Sequence, residues 1–311
     1  MSDAGTPIRA REASPGRDLS APPPPPPLTV GVYDNHTHLE FADGENPLDY
    51  RTALDLASAV GVRGVVQVGT DVETSRWGAE IAAVEPRVLA AVAIHPNEVP
   101  RLAAGGELEA SLAAIDGLAA QPRVRAIGET GLDFFRTDAA GRPAQLAGFE
   151  AHIEIAKRHG LAMQIHDRDA HAEVVRTLDR LGAPERTVFH CFSGDVELAR
   201  LCAERGWYLS FAGTVTFKNA PQLREALRVI PPHLILVETD APFLTPAPYR
   251  GRPNSPYLIP HTLRAMAEVR GTDPSMLAAL IASNTEAVYG DWEAQPVTEP
   301  ISVFDDPAFG R

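Results

Sequence analysis

The chain has 311 residues, with 28 Lys and Arg against 41 Asp and Glu, a formal charge of −13 with His neutral. At 44% hydrophobic and 22% charged residues it reads as a globular chain with enough apolar content for a large core, not as a disordered one. The acidic balance excludes a broad electropositive face that grips duplex nucleic acid, but not a phosphate substrate met by bound cations. Two cysteines, Cys191 and Cys202, offer no disulfide framework and fit a reducing, cytoplasmic setting. No apolar run reaches the ~18 residues of a membrane span, and residues 1–27 lack the charged-then-apolar layout of a secretory signal.

Residues 1–27 hold 8 of the 28 prolines, including the run Pro22–Pro27, and are expected to be a disordered Pro-rich extension with local polyproline II character. Short β-branched runs then alternate with longer helical patterns. Strands are predicted at 29–33, 63–68, 88–94, 124–127, 161–165, 187–189, 208–211 and 234–237. Helices are predicted at 48–60, 73–84, 108–120, 143–159, 169–181, 195–204, 220–229, 260–269 and 274–288, with Gly61, Gly160, Gly182 and Gly206 marking helix ends. Eight strands, each followed by a helix across residues 28–290, predict an α/β fold with a parallel sheet, best closed as a (β/α)8 TIM barrel. An open doubly wound sheet is the alternative, but no Gly-x-Gly-x-x-Gly follows the first strand. Residues 291–311 read as a loose C-terminal tail that Trp292, Phe304 and Phe309 could strap to the surface.

The polar residues that follow the strands carry the chemistry. Asp34-Asn35-His36-Thr37-His38 follows the first, Gly128-Glu129-Thr130-Gly131-Leu132-Asp133 the fourth, and His166 the fifth; His190 follows the sixth and Glu238-Thr239-Asp240 the eighth. Barrel enzymes assemble their sites at this end of the strands. Strand parity puts Gln164 and His166 on one face with Met163 and Ile165 on the other, and groups Leu236, Glu238 and Asp240. His-x-His at 36 and 38 projects two imidazoles the same way, as a metal ion requires. Mixed imidazole and carboxylate ligands favour Zn²⁺, Mn²⁺ or Fe²⁺, and Mg²⁺ where carboxylate and water predominate. Taken singly, Glu129 could cap a helix and Asp240 could open the turn before Pro242; five such coincidences on one barrel point to a metal centre.

The motifs also resemble a family. Asp34-Asn35-His36-Thr37-His38-Leu39, IGETGLDFF at 127–135, IHDRDA at 165–170, HCFSGD at 190–195 and ETDAPFL at 238–244 are similar, in order, to those of the TatD family of metal-dependent hydrolases, TIM-barrel enzymes with deoxyribonuclease members. PYRGRPNSP at 248–256 and Asn284-Thr285 look like the family's later motifs. The resemblance implies two divalent metal ions, drawn from Mg²⁺, Zn²⁺ or Mn²⁺. His36, His38 and Asp240 would hold one, His166 and His190 the other, and Glu129 would bridge them. The family's late loop carries a Lys and Asn-Glu-Pro where this chain has Arg252 and Asn254-Ser255-Pro256. Arg for Lys keeps the charge but offers a fork.

The expected activity is a deoxyribonuclease that removes nucleotides 3′ to 5′ through a metal-activated water, with DNA, single-stranded or at its 3′ ends, as substrate. Asp240 is assigned as general base alongside Glu129 as the bridging catalytic carboxylate. Candidate substrate contacts are His95, Arg136, Arg168, Arg250 and Arg252, while Lys218 reads as a solvated charge. Phe134 and Phe135 are placed either to stack a terminal base or to pack the core. Asp133 is placed either to orient a ligand His or to close its turn. Cys191 reads as a buried thiol, Asp195 as a helix N-cap, and His152, His159, His171, His233 and His261 as surface or structural residues. The alternative function is hydrolysis of an amide, lactone or aminoacyl ester by the same ligands. A monomer that does not touch membranes is expected.

Overall fold

The structure, a computed structural model, describes residues 7–12 and 15–292. Its eight main strands are β1 (Val32–Thr37), β2 (Val62–Val68), β3 (Val88–Val92), β4 (Val124–Asp133), β5 (Ala162–Arg168), β6 (Thr187–Phe189), β7 (Tyr208–Phe211) and β8 (Ile235–Val237). They form one parallel sheet in chain order. The sheet curls until β1 meets the residues after β8. There Thr37 bridges Ala241, the His38 amide donates to Ala241 O at 2.8 Å, and the Asp240 amide donates to His36 O at 2.9 Å. The ring is therefore a (β/α)8 barrel, and the open-sheet alternative falls away.

Alternation along the strands sorts the side chains into two layers. Tyr33, Val66, Val68, Leu89, Ala91, Ala126, Ala162, Val188 and Leu236 fill the interior. Val32, Val65, Val88, Val92, Ile127, Met163, Ile165, Phe189, Leu209 and Ile235 face outward into the helices. Those helices are α1 (Tyr50–Ala59), α2 (Val72–Val84), α3 (Val99–Ala104), α4 (Leu108–Ala119), α5 (Arg142–His159), α6 (His171–Leu181), α7 (Val196–Glu204), α8 (Pro221–Val229), α9 (Ile259–Arg270) and α10 (Pro274–Tyr289). Side-chain caps start several of them: Asp49 on α1, Asp71 with Thr74 in a reciprocal box on α2, and Asp195 on α7. α5 ends at Gly160 with φ 61°, a left-handed turn that costs glycine little. Among the described residues no helix is long and apolar enough to cross a membrane.

The barrel floor is closed by α10 and the three described residues beyond it. Trp292 is 1% exposed and stacks on Tyr33 with ring centres 4.2 Å apart. The tail's first aromatic thus packs in the floor instead of strapping the surface; Phe304 and Phe309 lie outside the described residues. Three strands run further into polar sequence than predicted, with β1 reaching Thr37, β4 Asp133 and β5 Arg168. Hydropathy assigns such residues to loops, yet here they satisfy one another inside the ring. Asn35 Nδ2 donates to Ser210 Oγ and Val237 O, both at 2.7 Å, and Gln164 Nε2 donates to Asn35 O at 2.6 Å. The short α3 escapes prediction because six residues carry too little periodicity.

The Pro-rich leader, expected to be disordered, follows a defined course in its described residues. Arg9–Ala10 pairs in parallel with Phe41–Ala42 just after β1. Arg17 binds Asp43 through two bonds of 2.6 Å, Tyr257 donates to Pro22 O at 2.6 Å, and Arg264 donates to Pro26 O at 2.6 Å. A polyproline chain exposes unpaired carbonyls, and barrel residues with spare donors take them up.

Candidate metal centre

Local sequence explains how the ligating groups reach the barrel mouth. The β1–β2 register slips between Asp34 and Thr37, re-aiming the chain so that His36 and His38 turn toward each other. On β4 a second slip falls between Ile127 and Thr130, at Glu129. Glycines on both sides let this bulged segment press onto β5. A Cβ at Gly128 would meet Gln164 Cβ at 2.6 Å, and one at Gly131, where φ is 142°, would meet His166 O at 2.0 Å. Close approach of backbone to backbone is thus what sets Glu129 beside His166.

Glu129 is 5% exposed and its two oxygens face different partners. Oε2 lies 3.7 Å from both His36 Nε2 and His38 Nε2. Oε1 lies 2.6 Å from His166 Nδ1, 2.8 Å from His190 Nε2 and 3.3 Å from His95 Nε2. Asp240 Oδ1 joins the first group at 3.5 Å from His38 Nε2 and 3.8 Å from His36 Nε2. Asp240 holds φ 54°, in the left-handed region, a local strain of the kind that functional positions retain.

The nitrogens pointing away from the centre decide the tautomers. His38 Nδ1 donates to Val68 O at 2.9 Å, and His190 Nδ1 faces Glu238 Oε1 at 3.2 Å. His166 Nε2 lies 3.3 Å from Asp133 Oδ2. His38 and His190 thus have an acceptor behind the nitrogen that points away from the centre, the arrangement that orients metal-ligating histidines, whereas His166 Nε2 makes no hydrogen bond among the described residues. His36 and His38 point Nε2 at Nε2 across 3.3 Å. That spacing is close to the tetrahedral edge of roughly 3.3–3.4 Å set by Zn–N bonds of 2.0–2.1 Å. His95 differs: its Nδ1 accepts from the Asn97 amide at 3.1 Å, so its Nε2 carries hydrogen and donates.

Electrostatics point the same way. Burial pulls His36 and His95 below the usual imidazole range. For His38 the penalty of burial is outweighed by the Asp240 and Glu40 carboxylates, and for His190 by Glu129 and Glu238, so both rise well above that range. Burial would raise Glu129, but His95, His190 and His166 hold it well below the carboxylate range. Clustered buried groups that compete to hold positive charge suit a divalent cation. The residues therefore fit the implied metals: His36, His38, Asp240 and Glu129 Oε2 on one side, His166, His190 and Glu129 Oε1 on the other.

The six expected ligands thus converge. Of the expected substrate contacts, His95, Arg136 and Arg168 line a cavity of about 680 Å³ above the centre, together with Asp133, Asp240 and Phe243. Arg250 and Arg252 are not among its lining residues. Arg250 lies over Phe217, and Arg252 donates to Ser20 O, Ser20 Oγ and Ala21 O, its fork taken up by leader carbonyls. Asn254, in the departure from the family pattern, holds the loop by donating to Thr239 O and Phe243 O. Phe135 stays 64% exposed with the Arg168 guanidinium 4.0 Å from its ring centre. Sequence reasoning named two further carboxylates at the strand ends without giving either a role. Glu238 is fully buried, faces His190 and accepts from the Cys191 amide at 2.8 Å. Asp34, pushed up to about 8 by burial against the hydrogen bonds of Thr239, ties β1 to the segment after β8. Their place in the strand alternation was the available signal.

A profile of the TatD related DNase family matches residues 33–290. A metal-dependent hydrolase TatD of Mycobacterium tuberculosis, named as uncharacterized, is 42% identical over 263 residues, covering 83% of this chain and 98% of its own. A 3'-5' ssDNA/RNA exonuclease TatD of Citrobacter rodentium is 36% identical, covering 78% of this chain and 92% of its own. The crystal structure of a TatD homologue from Escherichia coli K12 superposes with a TM-score of 0.75 at 25% identity, over 84% of this chain and 98% of that one. The profile match, the identities to these relatives and the shared barrel agree, and the chain belongs to the TatD family of metal-dependent hydrolases.

Proposed function

We propose that this hydrolase is a deoxyribonuclease that removes nucleotides from the 3′ end of single-stranded DNA. The carrying observation is Glu129, whose two oxygens serve two separate imidazole groups at the floor of a cavity rimmed by Arg136 and Arg168. The exonuclease name of the Citrobacter rodentium relative supports the choice of bond. Two divalent cations, when bound, would supply Lewis acidity and lower the pKa of water.

The chain's own residues do the rest. Asp240, in the cavity lining beside His36 and His38, accepts the proton of the attacking water. His95 directs its Nε2–H toward the centre and donates to a non-bridging phosphate oxygen. Arg136 and Arg168 bind the adjoining backbone, where a guanidinium fork matches phosphate geometry. A cavity that sets two guanidinium groups beside the centre takes a strand end without needing a basic face, which agrees with a chain of net charge −13.

The test uses enzyme loaded separately with Mg²⁺, Mn²⁺ or Zn²⁺ and single-stranded oligonucleotides with free or blocked 3′ ends. Shortening only from free 3′ ends is the expected result, and Glu129→Ala must abolish it. If no oligonucleotide is cut with any of the ions, the nuclease reading fails and the same centre must act on a carbonyl compound such as an amide, lactone or aminoacyl ester.

A further inference from the structure

Arg11 stands outside the matched family region of 33–290 and is not itself a cavity-lining residue, yet it packs on one that is. Its guanidinium lies 4.9 Å from the ring centre of Phe243, a cavity-lining residue, and donates to Pro242 O at 2.6 Å. Both contacts are within three residues of Asp240. The local charge count is favourable. Asp43 is bound by Arg17 through two 2.6 Å bonds and is only 3.4 Å from Arg11, so one carboxylate faces two guanidinium groups. Arg17 is 8% exposed and Asp43 5%, while Arg11 is 28% exposed. The surplus charge therefore resides on the arginine that solvent and ligand can reach. Its bonds run through Nη1; among the described residues Nε and Nη2 have no partner. A guanidinium with two parallel N–H groups available suits one phosphate.

We propose that Arg11 of the N-terminal leader is a substrate-binding residue that takes a backbone phosphate of the bound strand. It rests on the nuclease reading. Arg136 follows β4 and Arg168 ends β5, and Arg11 lies over the segment after β8, four and three strands away round an eight-stranded ring. A strand crossing the mouth would thus be held on both sides of the metal centre, and the leader completes a binding cleft that the shared barrel leaves half-built.

The experiment measures kcat/KM of the metal-loaded, full-length enzyme on a single-stranded oligonucleotide between about 50 and 200 mM salt, where each lost phosphate contact flattens the log–log slope by about 0.7. Arg11→Gln should fall several-fold at low salt and show the flatter slope, with kcat retained. Arg11→Met, which keeps the aliphatic stem on Phe243, should do the same and serves if the first variant melts early. Arg264→Gln, which loosens the leader at Pro26 and Pro27, far along the chain from Arg11, should keep the wild-type slope. Reduced activity with an unchanged slope would make Arg11 a brace for the Pro242–Phe243 turn and overturn the proposal. A gain in activity would make the leader a shield and overturn it as well. Wild-type enzyme that cuts no oligonucleotide sinks the nuclease reading too, a result distinct from an active wild type whose slope Arg11→Gln leaves unaltered.

Discussion

His152 on α5 is buried against Ile94 and Thr130, the chain neighbours of His95 and Glu129, and its protonation should couple acid to loss of the fold. Its Nε2 accepts from the Ile94 amide at 3.1 Å and its Nδ1 contacts Gly148 O at 2.7 Å and Thr130 Oγ1 at 3.0 Å. Ile94 precedes His95 and Thr130 follows Glu129, so one buried ring braces two strands next to the centre. Burial pushes its pKa down to about 4, against 6.5 for an ordinary imidazole. A base whose folded pKa is depressed takes up its proton only on unfolding, so stability is present above 6.5 and is lost as pH falls toward 4. The full difference of 2.5 units corresponds to roughly 3 kcal/mol, of which about 2 kcal/mol disappears between pH 7 and pH 5. For a chain of this size that is a fall of roughly 3 °C in Tm. His152→Gln retains an acceptor for the Ile94 amide but does not titrate. It should melt lower than wild type at pH 7 and lose most of this acid sensitivity, the two proteins being compared at one metal concentration so that the ligand histidines contribute equally. A variant whose Tm falls between pH 7 and pH 5 as steeply as that of wild type would refute the reasoning.

Other substitutions probe the centre itself. Gly131→Ala should lose more than about 3 kcal/mol of stability, or its metal, because the added Cβ would sit 2.0 Å from His166 O; a wild-type Tm and metal content would contradict the close approach. Glu238→Gln removes the anionic acceptor behind His190 and should weaken metal binding on that side about 10–100-fold, read by calorimetric titration; an unchanged affinity would show that Glu238 does not orient the ring. Asp240→Asn should depress kcat by at least about 10²-fold while much of the metal stays bound by elemental analysis, and near-normal turnover would remove Asp240 from the proton transfer.

The barrel was legible because apolar alternation survives in β2, β3 and the buried halves of β4 and β5, where Val66, Leu89 and Ala126 face in while Val65, Val88 and Ile127 face out. β1 was misplaced by its own chemistry: Asp34, Asn35, His36 and Thr37 are all fully buried, and a hydropathy reading has no means of treating four polar residues as strand. The six proposed ligands are among the polar residues repeated at equivalent strand ends, and the resemblance to a family singled them out from that larger set. Arg252 could not be placed, since its engagement depends on a leader whose lack of periodicity concealed its path. Glu238 was passed over in favour of Asp240 because a residue type shows what it can bind, while only geometry shows whether it meets the ion or the ring behind it.

The closure of the ring has a consequence for how the molecule breathes. β1 and the segment after β8 are joined in the backbone by the amides of His38 and Asp240, and those two residues are also proposed ligands of one ion. The seam of the barrel and the centre are then a single clasp. Amide hydrogen exchange at His38 and Asp240 should be slow while the clasp is filled and should quicken on chelation before that of the opposite wall does, because local opening begins where the fewest bonds must break. Metal loss in this chain would be felt first as an unfastening of the barrel wall, well before any global unfolding.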